Sequence, residues 1–422
     1  MRRARPGPPI TAGRRALVGV VALAAAACTG GGGGPAAGPT TAGTADPVTV
    51  DCLGDADCPA LVVEGDPPAA MPSGAPSPLR GYSDPTVRRE PGGGPLWMAY
   101  SWPSVHVGPD GTRTTRVETH LARSDDDGRT WRAVSPLWRA TEATDPVSGR
   151  RGWTDHEVPN LLPVTDGGGA TRWFAARLDL FVPAGEGLGS RPPASFRIAL
   201  TSAATPAALA TAPTGVLGSA LTDDRWGVDQ DLTALDGSLG RCALWNEPAL
   251  HHAGGTLYLA LRCLPLARDG TPDVAASSIE VFATEPVGEP ATWAWRHQGR
   301  LAGHAEAEEL GADGLTQIDF ARAADGTLLA ILTPDDWSDE HREFVHHGLR
   351  VVEVASLDDP RLARHGDGSL AVRAVVTASD LAPLGPGAGA YEPTATTGVV
   401  LMRREIDRAS LVAGIHDTRV HP

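Results

Sequence analysis

Five acidic residues, each placed just before an apolar and strand-like stretch, are the residues of this chain whose type and spacing could do chemistry. The intervals between them are 73, 90, 72 and 73 residues. Carboxyl groups that converge on one site can divide the roles of acid and base, and hydrolysis of a glycosidic bond uses such a pair. The five candidate catalytic residues are Asp84, Glu157, Glu247, Asp319 and Glu392.

The interval indicates which elements would position these acids. Each acid is followed by a polar or Gly-containing turn and a strand-like run, and most repeats contain a third strand. A repeat of this length suits one four-stranded sheet, which is the unit of a β-propeller. We predict an all-β, five-bladed β-propeller over residues 81–422, in which the acids begin the innermost strands beside a central channel. Six blades are the alternative, if residues 47–80 or the long second repeat contain another sheet.

The N-terminus has the pattern of a bacterial export signal. Five Arg residues are followed by a short apolar stretch of small residues that is too short to span a bilayer comfortably. Small residues directly before Cys28 resemble a lipobox, in which the Cys is lipidated; an ordinary signal peptide is the alternative. We predict an exported, membrane-anchored bacterial lipoprotein at the cell surface or in the periplasm. Its segments are a signal peptide at 1–27, a flexible Gly/Pro/Ala/Thr-rich tether at 28–46 and an N-terminal extension at 47–80.

The charge balance argues against polyanionic partners. The formal net charge is −15, and loss of the first 27 residues, which hold five Arg and no acid, takes it to −20. A chain this acidic repels nucleic acid and anionic lipid surfaces. The sequence contains no phosphate-binding Gly-rich loop, and its Cys and His spacings do not fit a structural metal site. We predict no nucleic-acid partner, no cofactor, no metal and a monomer.

The four cysteines that follow Cys28 predict two disulfides, because an even count in an exported chain favours pairing. Four cysteines allow three pairings, and we favour the two local ones, Cys52–Cys58 and Cys242–Cys263. The second pair would clip the hairpin that begins near Glu247. Free buried thiols are the alternative.

The segment Ser124 to Trp131 matches the Asp-box pattern Ser-x-Asp-x-Gly-x-Thr-Trp at every fixed position. In this motif the chain resembles the sialidase-like propellers. The resemblance implies a turn between the third and fourth strands of a blade, in which Ser and Asp side chains bind the backbone and the Trp packs between blades. It implies structure and not catalysis. The sialidase pattern of an aromatic residue, Arg, Ile and Pro is absent, since the corresponding strand contains Ser83-Asp84-Pro85.

The strand starts resemble instead the five-bladed glycoside hydrolases of the arabinanase, xylosidase and fructosidase clans. That resemblance implies that Asp84 is the base or nucleophile and that Glu247 is the general acid. It implies a third carboxylate that tunes the pKa values of the other two, and Asp155 and Glu157 are both candidates. A carbohydrate substrate is the implied ligand.

Several further residues are candidates for binding a sugar. Arg side chains could hold a substrate carboxylate, and aromatic rings could stack on sugar faces; the candidates are Arg80, Arg241, Trp153, Trp245 and Tyr391. Whether the chain is an enzyme stays open. The rival hypothesis is a non-catalytic surface module that binds glycan or protein, and a third is a sialidase-like fold with a purely structural role. A catalytic pair requires two carboxyl groups across an open pocket; carboxyl groups that are sealed or paired with Arg would favour the binding module.

Overall fold

The computed structural model describes residues 46–144, 149–184, 196–219, 228–341, 343–381, 384–407 and 410–422. The predicted signal peptide, Cys28 and all but the last residue of the predicted tether lie outside the described residues. In the described part strands dominate, and the α-helix is α1 (His304–Glu309). None of the helices described is long and apolar enough to cross a membrane.

The strands follow one another along the chain in groups that form the sheets. Strands β1–β3 are Val48–Asp51, Val63–Glu64 and Leu79–Gly81, and β4–β7 are Ser83–Arg89, Leu96–Val107, Arg113–Ser124 and Trp131–Trp138. Strands β8–β13 are Thr141–Thr144, Arg151–Thr165, Thr171–Pro183, Phe196–Ala203, Thr214–Gly218 and Gln230–Asp231. Strands β14–β17 are Leu244–Ala253, Thr256–Leu264, Ser278–Thr284 and Arg296–Ala302. Strands β18–β23 are Gly314–Arg322, Leu328–Ser338, Glu343–His346, Leu349–Ser356, Arg361–Leu362 and Val372–Thr377, and β24–β26 are Gly387–Tyr391, Val399–Asp407 and Ser410–Asp417.

Short 3-10 helices join some of these strands. They are Ala207–Thr211, Leu232–Ala234, Gly237–Arg241 and Pro290–Thr292.

The strands pair into five sheets arranged around a common centre. The sheet orders are β2-β7-β6-β5-β4, β13-β12-β11-β10-β9-β8, β14-β15-β16-β17, β1-β23-β21-β19-β18 and β24-β25-β26-β3, with β20 and β22 attached to the fourth sheet. The innermost strands β4, β9, β14, β18 and β24 contact one another in this order, and β24 contacts β4 again. The ring is therefore closed, and the prediction of an all-β propeller fold is confirmed.

The hydrophobic core is divided among the junctions between neighbouring sheets. Five buried apolar clusters occur, and each combines side chains of two adjacent sheets. Between the first and second sheets, for example, Trp97 packs against Trp173 with ring centroids 6.4 Å apart. Because the apolar side chains pack at these junctions, polar side chains of the innermost strands can point toward the channel.

The N-terminal segment joins the propeller at three places. Strand β3 pairs in parallel with β26 and completes the fifth sheet, so that the two ends of the chain close the ring. Strand β2 pairs with β7 at the outer edge of the first sheet, and β1 pairs with β23 at the outer edge of the fourth. Residues 46–81 thus contribute outer strands to three different sheets.

Both predicted disulfides are present. Cys52 and Cys58 are joined within the N-terminal segment, and Cys242 is joined to Cys263 across the β14–β15 hairpin. All four residues are fully buried.

The Asp-box segment forms the turn between β6 and β7, the third and fourth strands of the first sheet. The Ser124 hydroxyl accepts a hydrogen bond from the Gly128 N–H at 2.8 Å, and the Asp126 carboxylate accepts from the Thr130 N–H at 2.9 Å. Hydrogen bonds from the N–H and the hydroxyl of Thr130 lower the pKa of Asp126 to about 2. Trp131 is buried at the junction with the fifth sheet. The segment lies at an outer strand and does not contribute to the channel.

Candidate active site

Each innermost strand is interrupted by a bulge near its beginning. The pairing register shifts opposite Ser83–Thr86, Glu157–Asn160, Asn246–Ala249, Leu315–Ile318 and Gly387–Gly389. In four of these bulges one residue without glycine's freedom has a positive φ: Asp84 (49°), Val158 (51°), Glu247 (55°) and Ala388 (59°). Such a conformation costs on the order of 1–3 kcal/mol and persists only where the surroundings enforce it.

Hydroxyl groups of neighbouring sheets hold the bulges in place. The Val158 N–H donates to the Ser101 Oγ at 2.9 Å, and the Ala388 N–H donates to the Thr333 Oγ1 at 3.0 Å. These bonds satisfy backbone groups that leave the ladder at the bulge. Hydrogen bonds to the adjacent sheet therefore stabilise the strained backbone conformation at Val158 and Ala388.

The bulges bring Asp84 and Glu247 together, although 163 positions separate them in the chain. Both residues are partly exposed to solvent and enclosed on most sides by protein. Burial, and then the charge of Glu157, raises the pKa of Asp84 to about 6. Burial, and then the charge of Asp84, raises the pKa of Glu247 well above its ordinary value. The charge of one carboxylate disfavours ionisation of a second carboxyl group close to it, so Asp84 and Glu247 do not ionise independently.

Hydrogen bonds favour the ionised form of Asp84. Side-chain bonds from Ser101 and Ser83 lower its pKa against the effect of burial, and so does the charge of Arg404. The nearest side chain bonded to Glu247 is the Asn246 amide, at 3.5 Å. Glu247 is therefore the stronger candidate for the protonated partner and Asp84 for the ionised one.

Glu157 enters the same site by way of the bulge in the second sheet. Its neighbour Val158, and not Glu157 itself, occupies the strained position that Asp84 and Glu247 occupy in their strands. A regular strand would alternate Glu157 away from the channel, but the extra residue changes that direction. The charge of Glu157 raises the pKa values of both Asp84 and Glu247. We call Asp84, Glu157 and Glu247 the acid site.

Two arginines lie beside the acid site, Arg262 on the strand next to that of Glu247 and Arg404 in the fifth sheet. Arg262 is fully buried, pairs with Asp335 at 3.3 Å and donates to the Thr316 Oγ1 at 2.7 Å. Arg404 donates to the backbone carbonyls of Phe344 and Leu384, both at 3.0 Å. The charges of both arginines act on the acid site: Arg404 lowers the pKa of Asp84 and Arg262 lowers that of Glu247.

The hairpin formed by the end of β19 and by β20 contacts Arg262 and Arg404, the two arginines beside this site. It carries Asp335, whose pKa burial raises to about 6, and Phe344, whose ring lies 4.6 Å from the Arg262 guanidinium. It also carries His346, whose pKa is held well below its ordinary value by burial and then by Arg404. The pair Asp335-Asp336 at the end of a strand was the available signal for this element.

A second polar centre lies further along the same innermost strands. Arg88 forms a two-pronged ion pair with Asp319, and one of its bonds measures 3.0 Å. The Asn160 amide donates to Asp319 at 2.7 Å and accepts from the Leu250 N–H at 3.0 Å. All three side chains are buried, and they connect four sheets across the channel. We call Arg88, Asn160 and Asp319 the channel plug.

Three of the candidate catalytic residues lie outside the acid site. Asp319 belongs to the channel plug, because it follows the bulge of its strand and meets Arg88. Glu392 comes after the end of β24, where its carboxylate accepts from the Arg89 N–H at 3.1 Å. Asp155 is buried and accepts from the Val117 N–H at 3.1 Å. Each of these three acids is used by a local contact, and the acid site does not include them.

The predicted sugar-binding residues do not line the acid site either. Trp245 and Tyr391 are buried in apolar clusters, where no sugar could stack on them. Arg241 is bound to Glu280 at 2.9 Å, and Arg80 lies on β3 and donates to a carbonyl of its own segment. Trp153 is half-buried with the Arg116 guanidinium 3.9 Å from its ring.

Three of the solved structures that this chain resembles are glycoside hydrolases. One described by that name is 14% identical with a TM-score of 0.47, over 80% of this chain and 87% of the other. A thermostable family-43 glycoside hydrolase is 11% identical with a TM-score of 0.40, over 67% and 74%. The Cellvibrio cellulosa α-L-arabinanase complexed with arabinohexaose is 12% identical with a TM-score of 0.35, over 69% and 76%.

No protein-family model and no curated protein sequence matches the chain. At TM-scores below 0.5, the likenesses to solved structures assign neither a reaction nor a substrate to it.

Proposed function

We propose that this protein is a glycoside hydrolase with five blades, one for each sheet, and with its catalytic centre at the acid site. The observation that carries the proposal is that Asp84 and Glu247 are both partly exposed and lie close enough for the charge of Asp84 to raise the pKa of Glu247. Neither carboxyl group has an Arg within ion-pair distance among the described residues, whereas Asp319 does. Partly exposed carboxyl groups with raised pKa values are typical of acid and base catalysis and not of structural ion pairs.

The two carboxyl groups would take different roles. Glu247, with its pKa raised well above the ordinary value, would donate its proton to the glycosidic oxygen as the bond to the anomeric carbon breaks. Asp84, with a pKa of about 6, would be ionised at neutral pH. It would either remove a proton from the attacking water or attack the anomeric carbon itself, in which case water later releases the sugar. In both cases one water is consumed and two hydroxyl groups are formed.

Glu157 and Arg404 would set the pH range of this reaction. They act on Asp84 in opposite directions, because the negative charge of Glu157 raises its pKa and the positive charge of Arg404 lowers it. Their balance leaves Asp84 able to ionise close to neutrality. Neither residue needs to touch the substrate for this purpose.

The proposed location is the outside of the cell membrane, with lipid on Cys28. The support is the export pattern at the N-terminus and the two disulfides, which form in oxidising compartments. Cys28→Ser should move the protein from the membrane fraction to the soluble fraction. Retention in the membrane fraction would contradict the anchor.

The experiment for the catalytic proposal is a turnover assay on a panel of oligosaccharides, arabino-oligosaccharides included. Asp84→Asn and Glu247→Gln should each reduce kcat by about 10²–10⁴-fold. Glu392→Gln is the matched control, because it removes an acid of the same sequence pattern outside the site. If the wild-type protein binds a glycan of the panel but cleaves none, the non-catalytic binding module replaces the hydrolase.

A further inference from the structure

A recess of about 460 Å³ is lined by residues of the fourth sheet and by residues that precede the first strand of the fifth sheet. It is bounded by residues that directly precede the innermost strands β18 and β24, among them Gly311, Gly385 and Pro386. The acid site is likewise built at the beginnings of innermost strands, so the recess opens on the same face of the propeller. Its volume is within the range of small-ligand pockets.

His346 connects the recess to the acid site. Its side chain lines the recess, and it also lies close enough to Arg404 and Arg262 for their charges to lower its pKa. Arg404 in turn is an electrostatic neighbour of Asp84 and Glu247. The buried ring nitrogen Nδ1 of His346 has no hydrogen-bond partner among the described residues. A glycan chain that leaves the acid site on this side would pass His346 and enter the recess.

Arg350 is the unmatched charge of this recess. One of its terminal nitrogens, Nη1, donates to the carbonyls of His347 and Leu349, both at 3.1 Å. Within the described chain no carboxylate lies within ion-pair distance of its guanidinium, and its Nε and Nη2 atoms make no hydrogen bond and are not sealed from solvent. A partly buried arginine without a carboxylate is unusual in a chain with a net charge of −15.

Apart from His346, the other polar side chains at the recess already have partners. Asp51 accepts hydrogen bonds from the hydroxyl groups of Thr377 (3.0 Å) and Ser379 (2.6 Å), and the cation that lowers its pKa is Arg403. His347 is bonded to Asp336 at 2.8 Å. The guanidinium of Arg350 is thus the group that remains available for an incoming anion.

We propose that this recess binds an anionic substituent, a carboxylate or a sulfate ester, on a sugar adjacent to the one held at the acid site. The inference rests on the proposed function for the presence of a glycan, and it adds that the glycan is acidic. The planar guanidinium suits a two-oxygen contact with either group. The glycan would bind in one orientation, because the acid site repels its anionic substituent and Arg350 attracts it.

The test measures binding by calorimetry, in an Asp84→Asn background that prevents turnover. The probes are tetragalacturonate, its fully methyl-esterified form, and a galactotetraose with and without 6-O-sulfate. A preference for tetragalacturonate over its ester identifies carboxylate, and a preference for the sulfated galactotetraose identifies sulfate. Equal affinity within both pairs, or no binding of any probe, overturns the proposal.

Variants at Arg350 separate the recess from general electrostatics. Arg350→Gln should reduce the affinity for the preferred acidic probe about tenfold or more and leave the affinity for its neutral counterpart unchanged. Arg350→Lys should retain part of the preference. Arg132→Gln, which removes an exposed arginine of the first sheet, is the control for net charge and should change nothing. Equal losses for acidic and neutral probes in Arg350→Gln would contradict the proposal.

Two further results keep the inference independent of folding and of catalysis. If Arg350→Gln fails to fold, the preference of the unsubstituted recess and its weakening between 50 and 500 mM salt decide the question. The failure of every glycan to be cleaved would remove the hydrolase but leave a measured preference for acidic probes intact. Catalysis without such a preference would leave the hydrolase and remove the recess.

Discussion

The acid site and the channel plug both contain carboxyl groups from the innermost strands, yet they differ in what those carboxyl groups can do. In the plug, the Asp319 carboxylate meets the Arg88 guanidinium and the Asn160 amide, and all three side chains are buried. In the acid site, Asp84 and Glu247 are partly exposed to solvent, the charge of Asp84 acts on Glu247, and no arginine within the described residues is bonded to either. The plug therefore connects the sheets across the channel, whereas the acid site holds two carboxyl groups with raised pKa values.

The bulges explain this difference. Asp84 and Glu247 occupy strained backbone positions within their bulges, whereas Asp319 lies in regular pairing beyond the bulge. Strain of this kind is found at functional sites, where surrounding structure enforces it. The comparison teaches that, in this channel, the acids within the bulges belong to the acid site and the acid beyond its bulge belongs to the channel plug.

The largest effect should follow from breaking the plug. Asp319→Ala leaves the buried Arg88 guanidinium without its partner, and the free energy of unfolding should fall by about 3–5 kcal/mol. Urea denaturation measures it. Asp359→Ala, which removes an exposed ion pair with Arg361, is the matched control and should change stability by about 0–1 kcal/mol. Equal effects of the two variants would mean that the plug does not brace the channel.

At the acid site, a substitution should increase the free energy of unfolding and not decrease it. Because the folded-state pKa of Asp84 is raised from 3.8 to about 6, the folded protein binds more protons than the unfolded chain between these values. Its stability is therefore lost as pH rises through this window. Asp84→Asn removes that loss and should raise the free energy of unfolding by about 1–2 kcal/mol at pH 7, with a smaller gain at pH 4. A destabilised Asp84→Asn variant at pH 7 would place Asp84 with the structural acids.

Smaller and opposite effects are expected from the two charges that act on Asp84. The acidic limb of the kcat/KM profile should reflect the pKa of Asp84. Arg404→Gln should move this limb to higher pH and Glu157→Gln should move it to lower pH, each by about one unit or less. Shifts in the same direction would indicate a general disturbance of the site and not the loss of a specific charge. Arg132→Gln is the control for net charge.

Part of this arrangement could be predicted from sequence. In the sequence, Asp84 and Glu247 are each followed directly by Pro. The missing N–H of Pro is tolerated where a bulge interrupts the hydrogen-bond ladder, so this dipeptide marks both positions. Glu392 shares that dipeptide at the wrong end of its strand, so the local pattern does not separate the two positions. Asp319 is followed by Phe320 and shares with the other acids only the interval between repeats.

The arginines of the site could not be predicted in this way. Arg262 lies opposite Asn246 in the β14–β15 pairing, and only that register reveals its closeness to Glu247. Arg404 reaches the acid site from the second strand of the fifth sheet, where the sequence offers no turn or motif to mark it. Contacts between sheets that are distant in sequence depend on the closed ring, and the ring becomes visible only in three dimensions.

The most direct test of the central claim is a titration of the Glu247 carboxyl carbon by NMR in the wild-type protein and in Asp84→Asn. If the two carboxyl groups share one site, Glu247 titrates well above its ordinary pKa of 4.5 in the wild-type protein, and its pKa falls when the charge of Asp84 is removed. A Glu247 that titrates at its ordinary value, or that is unaffected by Asp84→Asn, would contradict the account.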